Sequence, residues 1–587
     1  MGRARRGWAA AAAAARRGAL AAAAWLNAGA APDAALYVFL AYAAYRLVFG
    51  LAVFNAMAVP EFDFFEFRGF AATFSRLEVP EYFKRAPLYP VLMALWPFRF
   101  GGADRFLQGA EAANLAAGVA TLAFLYRWGR GVLGRAAVLA VILAGTCWLY
   151  PQLMAQPLCE ITLLFFVVAT VAAAGKGSPW AYVAAGCAAL TRYEGLALIP
   201  LAWLADVGAG HRRPRFFLYA ALAAVPVGAW LAAGMLRTAA VNPYVDMIAT
   251  LPPVGWSSLA TTAADLFPPW VGHLGFAAYV FAAVALLGIG SGVARGDWGW
   301  RVYAAFMAAY LGVHFFYPFT LDRFVFPIFP LLAAGLVNGG RLIMARLGGL
   351  VRGDRGARTA AIVVAALWLA VAAVSFWSRR GEPFLAAGGP WAAALAFLAV
   401  GAWAAWRGIG GRRLLGAALT LAVLTFFVNA HVRRWTAEYT YFRWHGASVR
   451  ATAAWLARVA PDQAKVCTAW PGIVAFYAGP GRLETMTPAQ VQSNVRTLFP
   501  FYAARQNVAY IVYDSLSTAG VYVTPYFAAH NGVGDLAPFG GAADVGRYRY
   551  LWAVRTPGEF VYVYRLAAEP EVWEKPYLCE DENWLGN

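Results

Sequence analysis

EFDFFEFRGFA, Glu61 to Ala71, follows an apolar segment, Ala34 to Val59, that breaks off at Pro60. YFKRAPLYP, Tyr82 to Pro90, comes a few residues later. An acidic cluster and the Lys84-Arg85 pair therefore flank one loop, residues 60–90, at the end of a first membrane span. Carboxylates held at a membrane surface are costly and usually functional.

The 587 residues are 61% hydrophobic and only 13% charged, where soluble proteins carry about 25% charged residues. The apolar residues come in blocks near the length that crosses a hydrocarbon core of about 30 Å, as expected for a polytopic membrane protein. The net charge of +18 would elsewhere suggest nucleic acid. Here the basic residues sit mostly in short loops between apolar blocks, the pattern that sets membrane orientation, so nucleic-acid binding is set aside. The Ala/Arg/Gly-rich composition is that of a high-GC bacterium, which places the chain in the inner (plasma) membrane. In the N-terminal segment, Arg16 and Arg17 interrupt the apolar run, so residues 1–33 read as a cytoplasmic leader rather than a signal peptide.

About thirteen apolar blocks follow. They are Ala34–Val59, Phe106–Tyr126, Ala136–Tyr150, Leu158–Ala174, Trp180–Leu190, Leu196–Val207, Phe217–Met235, Leu274–Val293, Tyr303–Phe319, Val325–Met344, Ala360–Phe376, Trp391–Trp406 and Leu414–Val428. With the N-terminus inside, nearly every Arg-rich loop falls on the cytoplasmic side, Arg379 and Arg380 excepted. The acidic loop, LTRYEG (Leu190 to Gly195), the Asp322-Arg323-Phe324 turn and the C-terminal region all fall on the other side. Residues 34–430 are thus expected to form an all-α membrane domain. From about His431 the character changes: ASVRATAAWLARVAP has helical spacing, and KVCTAW, VAYIVYD (Val508 to Asp514) and EFVYVYRL (Glu559 to Leu566) read as strands. Residues 431–587 are expected to be a small extracytoplasmic α/β domain, with turn signals in PGIVAFYAGPGRLET. Cys467 and Cys579 could pair there if it lies outside the cytosol. No spacing suggests a metal site.

The residues gathered on one side suit group transfer from a phosphate. An acceptor hydroxyl or amine needs a carboxylate to take or position its proton, and a departing phosphate needs cations. Asp63 is the best base, just past the first span, with Glu61 and Glu66 as second choices. Phe62, Phe64 and Phe65 would lower the local dielectric and could stack on sugar rings. Lys84 and Arg85 would bind the phosphate, Arg85 in bidentate fashion. Arg192 and Glu194 lie between two short blocks, where a purely structural ion pair competes with a functional reading. Arg323 stands at a helix entrance with Asp322 beside it. Glu160, after Pro157, and Tyr89 would line the substrate pocket with Phe62 and Glu194. His273 and His314 read as packed residues.

The first-loop residues resemble the protein O-mannosyltransferase family (glycosyltransferase family 39) and its bacterial aminoarabinose-transferase relatives. That family has an Asp-Glu pair after the first span, then Phe-Gly and a nearby Ala, then His-Pro-Pro-Leu, or Lys-Pro-Pro-Leu in the bacterial relatives. Phe62-Asp63, Phe67 and Phe70-Ala71 fit, with Gly69 one place late, and Arg85-Ala86-Pro87-Leu88-Tyr89-Pro90 resembles the second part. LTRYEGLALIP and LDRFVFPIFP resemble later segments, where the family's Arg approaches the donor phosphate. The resemblance implies a GT-C fold and a polyprenyl-phosphate sugar donor. It also implies transfer of a hexosyl or pentosyl group to an extracytoplasmic lipid, glycan or protein acceptor, with Asp63 catalytic in an inverting displacement. Some GT-C enzymes need a divalent cation, which leaves one open here. Phe64 replaces the second acid and Ala86 the first Pro, so a two-acid base would have to draw on Glu66. The rival reading is a transporter or lipid flippase, which would place charges near mid-membrane and often shows internal repeats; no repeat is found.

Overall fold

The computed structural model describes residues 21–29, 31–54, 63–80, 83, 85–100, 104–147, 149–237, 275–316, 322–350, 447–491, 499–514, 536, 539, 543–545, 547–556 and 559–567. Its contacts divide the chain into one unit of residues 1–337 with 442–587 and another of residues 338–441. The first unit holds an α-helical bundle and a small mixed sheet.

The bundle opens with α1, Ala34–Ala52, capped by Asp33, whose side chain accepts from the Leu36 amide as a helix start requires. After it come α2, Asp63–Ser75, and α3, Leu88–Ala94. A long helix, α4, Arg105–Leu133, ends where Gly134 turns the chain at φ 62° into α5, Ala137–Thr146. α5 comes back along α1: Tyr126 of α4 stacks on Phe39, while Tyr42 and Arg46 reach the carbonyls of Ile142 and Gly145 on α5. Arg46 is fully buried and donates to Gly145 at 2.5 Å and to the Tyr42 hydroxyl at 3.1 Å. It thus faces other helices rather than lipid, as its cost in hydrocarbon demands.

α6, Leu149–Ala155, and α7, Glu160–Ala173, meet at a bend of 113°. α8, Pro179–Thr191, leads through a 3-10 turn, Tyr193–Ala197, into α9, Leu198–Gly208. α10, Pro214–Arg237, α11, Gly275–Ala294, and α12, Trp298–Phe315, follow. A short turn, Asp322–Val325, opens the last bundle helix, α13, Phe329–Leu350. Among the described residues four helical runs are long and apolar enough to cross a membrane, or five if α6 and α7 form one broken span. The expected spans Ala360–Phe376, Trp391–Trp406 and Leu414–Val428 lie outside the described residues, as does the expected boundary at 430/431.

The sheet has the order β2-β1-β3-β5-β4. β1, Ala464–Thr468, runs parallel to β2, Leu483–Met486, and to β3, Tyr510–Asp514. β5, Glu559–Leu566, is antiparallel to both β3 and β4, Tyr548–Thr556. The three expected strands are β1, β3 and β5, and the expected helix is Ala447–Val459. In PGIVAFYAGPGRLET the expected turn falls at residues 480–482, between two elements. The stretch makes a helix, Pro471–Ala478, and then β2, because Pro471 sits in the first helical turn, where its missing N–H costs nothing. Cys467 is buried in β1; Cys579 lies outside the described residues, and so does the question of their pairing.

Helix α2 packs against the sheet domain. Phe64, Phe67 and Ala71 share a core with Ile473, Val474 and the strands. Phe476 meets Phe64 edge-on at 5.7 Å and Phe65 at 5.8 Å.

Candidate active site

The acidic stretch, expected in a loop, is helical from Asp63 onwards. Three residues apart, Asp63 and Glu66 lie one turn apart on the same face, and Phe64, Phe67 and Ala71 bury the neighbouring one. Both acids reach Arg85: Asp63 Oδ1 pairs with its Nη2 and Glu66 Oε2 with its Nε. Asp63 Oδ2 also accepts from Arg323 Nη2 at 2.7 Å. Arg323 Nε lies 3.7 Å from Glu160 Oε1, and that same oxygen accepts from Arg192 Nη1 at 3.1 Å. Arg192 Nη2 donates to Glu194 Oε1 at 2.8 Å, and His314 Nε2 lies 3.8 Å from it. A continuous chain of alternating charge thus runs Glu66–Arg85–Asp63–Arg323–Glu160–Arg192–Glu194, built from five separate segments of sequence.

The side chains of the Asp63 end, Asp63, Arg85 and Arg323, are 17–23% exposed, whereas Glu160 is 2% exposed. Glu160 is thus the buried middle of the chain and exposure is greatest at the Asp63 end, since Arg192 and Glu194 are 14% and 11% exposed. Burial pushes the Asp63 carboxyl up, but Arg85 first and Arg323 next outweigh it and hold the group well below the ordinary carboxylate value. Burial likewise pushes Glu194 up, and Arg192, His314 and a backbone hydrogen bond together outweigh it and bring the group to about 2 from an ordinary 4.5. A carboxyl depressed on folding contributes stability that is complete above about pH 4.5 and is lost as pH falls towards 2. The thermal midpoint of the detergent-solubilised protein should therefore drop more steeply across that window in the wild type than in Glu194→Gln. Parallel curves would contradict the pairing.

Several supporting residues carry no sequence signal beyond being polar inside apolar blocks. Asn114, fully buried on α4, reaches the carbonyls of Gln156 at 2.6 Å and Leu158 at 2.8 Å and the Tyr89 hydroxyl at 3.0 Å, and its Oδ1 accepts from Thr162 at 3.1 Å. It ties down the α6–α7 break that presents Glu160. Asn114→Ala should cost about 1–3 kcal/mol of stability, the usual penalty for stranding buried partners, with a larger proportional loss of activity. Equal activity at unchanged stability would refute that role. Trp230 Nε1 donates to the Arg85 carbonyl at 3.1 Å and to the Tyr193 hydroxyl at 3.2 Å, and Tyr193 donates to the Phe83 carbonyl at 3.2 Å. These bonds fix the backbone of the Arg85 loop.

Two pocket expectations change. Tyr89 is fully buried, edge-on to Phe67 at 5.1 Å. It supports the site from behind and lines no open pocket. Phe64 is also fully buried; its ring packs on Phe476 and is not free to stack on a sugar. Arg323 finds its partners in Asp63 and Glu160, on distant segments. His314 is buried, stacked on Phe324 at 5.2 Å, as expected of a packed residue. Glu61, Phe62 and Lys84 lie outside the described residues, as does His273. Among the described residues no three His, Cys, Asp or Glu side chains gather as a metal site.

The helical bundle, the small sheet domain docked on its first helical loop and the acid held among arginines define a membrane chain of the GT-C fold type. It is similar to ArnT from Cupriavidus metallidurans in the apo state, at 15% identity over 90% of this chain and 97% of that one, with a TM-score of 0.50. The structure of the same ArnT bound to undecaprenyl phosphate matches at 16% identity, 90% and 97% coverage and a TM-score of 0.49. The Archaeoglobus fulgidus oligosaccharyltransferase tethered with an acceptor peptide matches at 12% identity, 91% and 74% coverage and a TM-score of 0.46. What the chain shares with the apo ArnT structure, at 15% identity, is the fold alone. No protein-family profile matches the chain, and no curated protein matches it in sequence.

Proposed function

We propose that this chain is an integral membrane glycosyltransferase that moves a sugar from a polyprenyl-phosphate donor to an extracytoplasmic acceptor. The observation that carries the reading is the position of Asp63, clasped between Arg85 and Arg323 at the accessible end of the ion-pair chain. The GT-C fold and the first-loop resemblance support it.

In the reaction the bond between the anomeric carbon and the donor phosphate oxygen breaks as the acceptor oxygen or nitrogen attacks from the opposite face, inverting the centre. The acceptor's proton passes to Asp63. The lipid phosphate leaves with one more negative charge than it carried as a diester, and Arg85, Arg323 and Arg192 stabilise that charge. In the resting state Asp63 is a poor proton acceptor, because its arginine partners favour the ionised form. A donor phosphate that draws Arg85 and Arg323 towards itself would free the carboxylate and raise its basicity when it is needed.

Four carboxylates face three arginines along the chain, so an incoming phosphate calls for further positive charge. Lys84, next to Arg85, is the residue the sequence offers. Glu160 receives both arginines on Oε1, and its buried Oε2 has no hydrogen-bond partner among the described residues. An unpaired buried oxygen is costly, and a substrate hydroxyl would satisfy it. The charges sit at helix ends and breaks, which disfavours the transporter reading. The test is transfer from labelled polyprenyl-phosphate sugars in detergent, wild type against Asp63→Asn. If active membranes consume no such donor, the enzyme reading fails.

A further inference from the structure

A cavity of about 550 Å³ lies far from the ion-pair chain, lined by Trp25, Arg127, Gly131, Val171, Lys176 and Asp297 among others. Two helices measure the separation. Asp104 caps the start of α4 and pairs with Arg68 of the Asp63 helix at 2.8 Å, and Arg127 lies more than six turns further on, about 34 Å at 1.5 Å per residue. α7 starts at Glu160 and leads to Lys176 at its far end. The cavity is therefore at the opposite end of the bundle, roughly one hydrocarbon thickness away, on the side where the sequence places the cytoplasm.

The neighbouring basic residues show what is particular about the cavity. Arg130 and Arg135 both pair with Asp33 at 3.0 Å. Arg127 instead donates to the Trp25 carbonyl and lies 4.4 Å over the Trp25 ring, and Lys176 donates to the Ala172 carbonyl. Neither has a carboxylate within ion-pair distance among the described residues. Asp297 lines the same cavity, but its Oδ1 caps α12 by accepting from the Trp300 amide at 3.0 Å. Two cations against one engaged acid leave the cavity positive. Desolvation around the Lys176 ammonium, and secondly the Arg127 guanidinium, hold it below the ordinary lysine value, with Asp297 opposing. The two cations repel each other across a space that is wide enough for a headgroup.

We infer that this cavity binds a phosphate anion, presented as the phosphodiester headgroup of an acidic membrane lipid, through Arg127 and Lys176 with the Trp25 indole at the interface. Basic pockets between membrane helices are suited to such headgroups, and each cation near the surface is worth about a five-fold change in binding. Indole rings settle at headgroup level for the same amphipathic reason. The site is separate from the one where a donor phosphate would sit.

The test measures phosphatidylglycerol retained by the full chain from mixed phosphatidylglycerol/phosphatidylcholine micelles, by native mass spectrometry. Arg127→Gln with Lys176→Gln should lower retention roughly 25-fold, the product of two five-fold losses. Gly131→Leu is the second variant. A side chain there meets nothing within 4 Å of its Cβ, and leucine is a good helix former, so it fills the cavity without disturbing its walls. It too should displace the lipid, at unchanged thermal midpoint. Inorganic phosphate at constant ionic strength is the other arm. If it stabilises the wild type but neither variant and the lipid does not, the anion is free phosphate rather than a headgroup. If both variants retain the lipid as the wild type does and respond alike to phosphate, the inference is overturned.

Discussion

Asp63→Asn is expected to lower the rate of sugar transfer by a factor on the order of 10² to 10⁴, the range that one positioned proton acceptor contributes. The donor KM should move far less, because the arginines that would hold the phosphate remain. The structure explains why the variant should fold: removing the Asp63 charge strands neither of its partners. Arg85 keeps Glu66, and Arg323 keeps Glu160 at 3.7 Å. A loss confined to kcat marks an interaction made in the transition state. Full activity in Asp63→Asn, with donor turnover demonstrated, would remove Asp63 from the chemistry and with it the mechanism proposed above.

The second large effect falls on Arg192. Its guanidinium is the cation closest to both Glu160 and Glu194, at 3.1 and 2.8 Å. Without it, the basic side chains nearest these acids among the described residues are His314, 3.8 Å from Glu194, and Arg323, 3.7 Å from Glu160. Breaking a buried pair by removing one partner costs about 3–5 kcal/mol, whereas replacing all members with neutral groups is often close to neutral. Arg192→Met should therefore lower stability in detergent by about that amount. Arg192→Met combined with Glu160→Gln and Glu194→Gln should recover most of it while activity stays lost. That split distinguishes a cation kept for a substrate phosphate from one kept for the fold. A single variant as stable as the wild type, or a triple variant with restored activity, would contradict the reading.

Much of the architecture is written in local patterns. The apolar blocks announce a membrane bundle because each must satisfy its backbone as a helix in lipid. β1, β3 and β5 announce themselves through runs of Val, Ile and Tyr. Asp33 marks a helix start through its capping side chain, and Gly134 a turn through its positive φ. Even the helical state of the acidic stretch is present in its pattern, since Phe64, Phe67 and Ala71 recur at helical spacing, although Pro60 and the cluster of charge compete with it as loop signals. β2, at four residues, is too short to read, and β4, at nine, breaks its alternation at an irregularity between Tyr550 and Trp552.

The site itself is different. That Asp63, Glu66, Glu160, Glu194, Arg85, Arg192 and Arg323 are ionisable groups expected on one side follows from loop polarity. That they join hand to hand, that Glu160 is a buried bridge between two arginines, and that Phe64 and Tyr89 face inwards are consequences of packing alone. Ion pairs between remote segments leave no period or spacing in a chain. They exist only because the α6–α7 break, the Tyr193 turn and the Arg323 helix entrance are brought to the same end of the bundle as α2, and only in three dimensions does a carboxylate choose its cation.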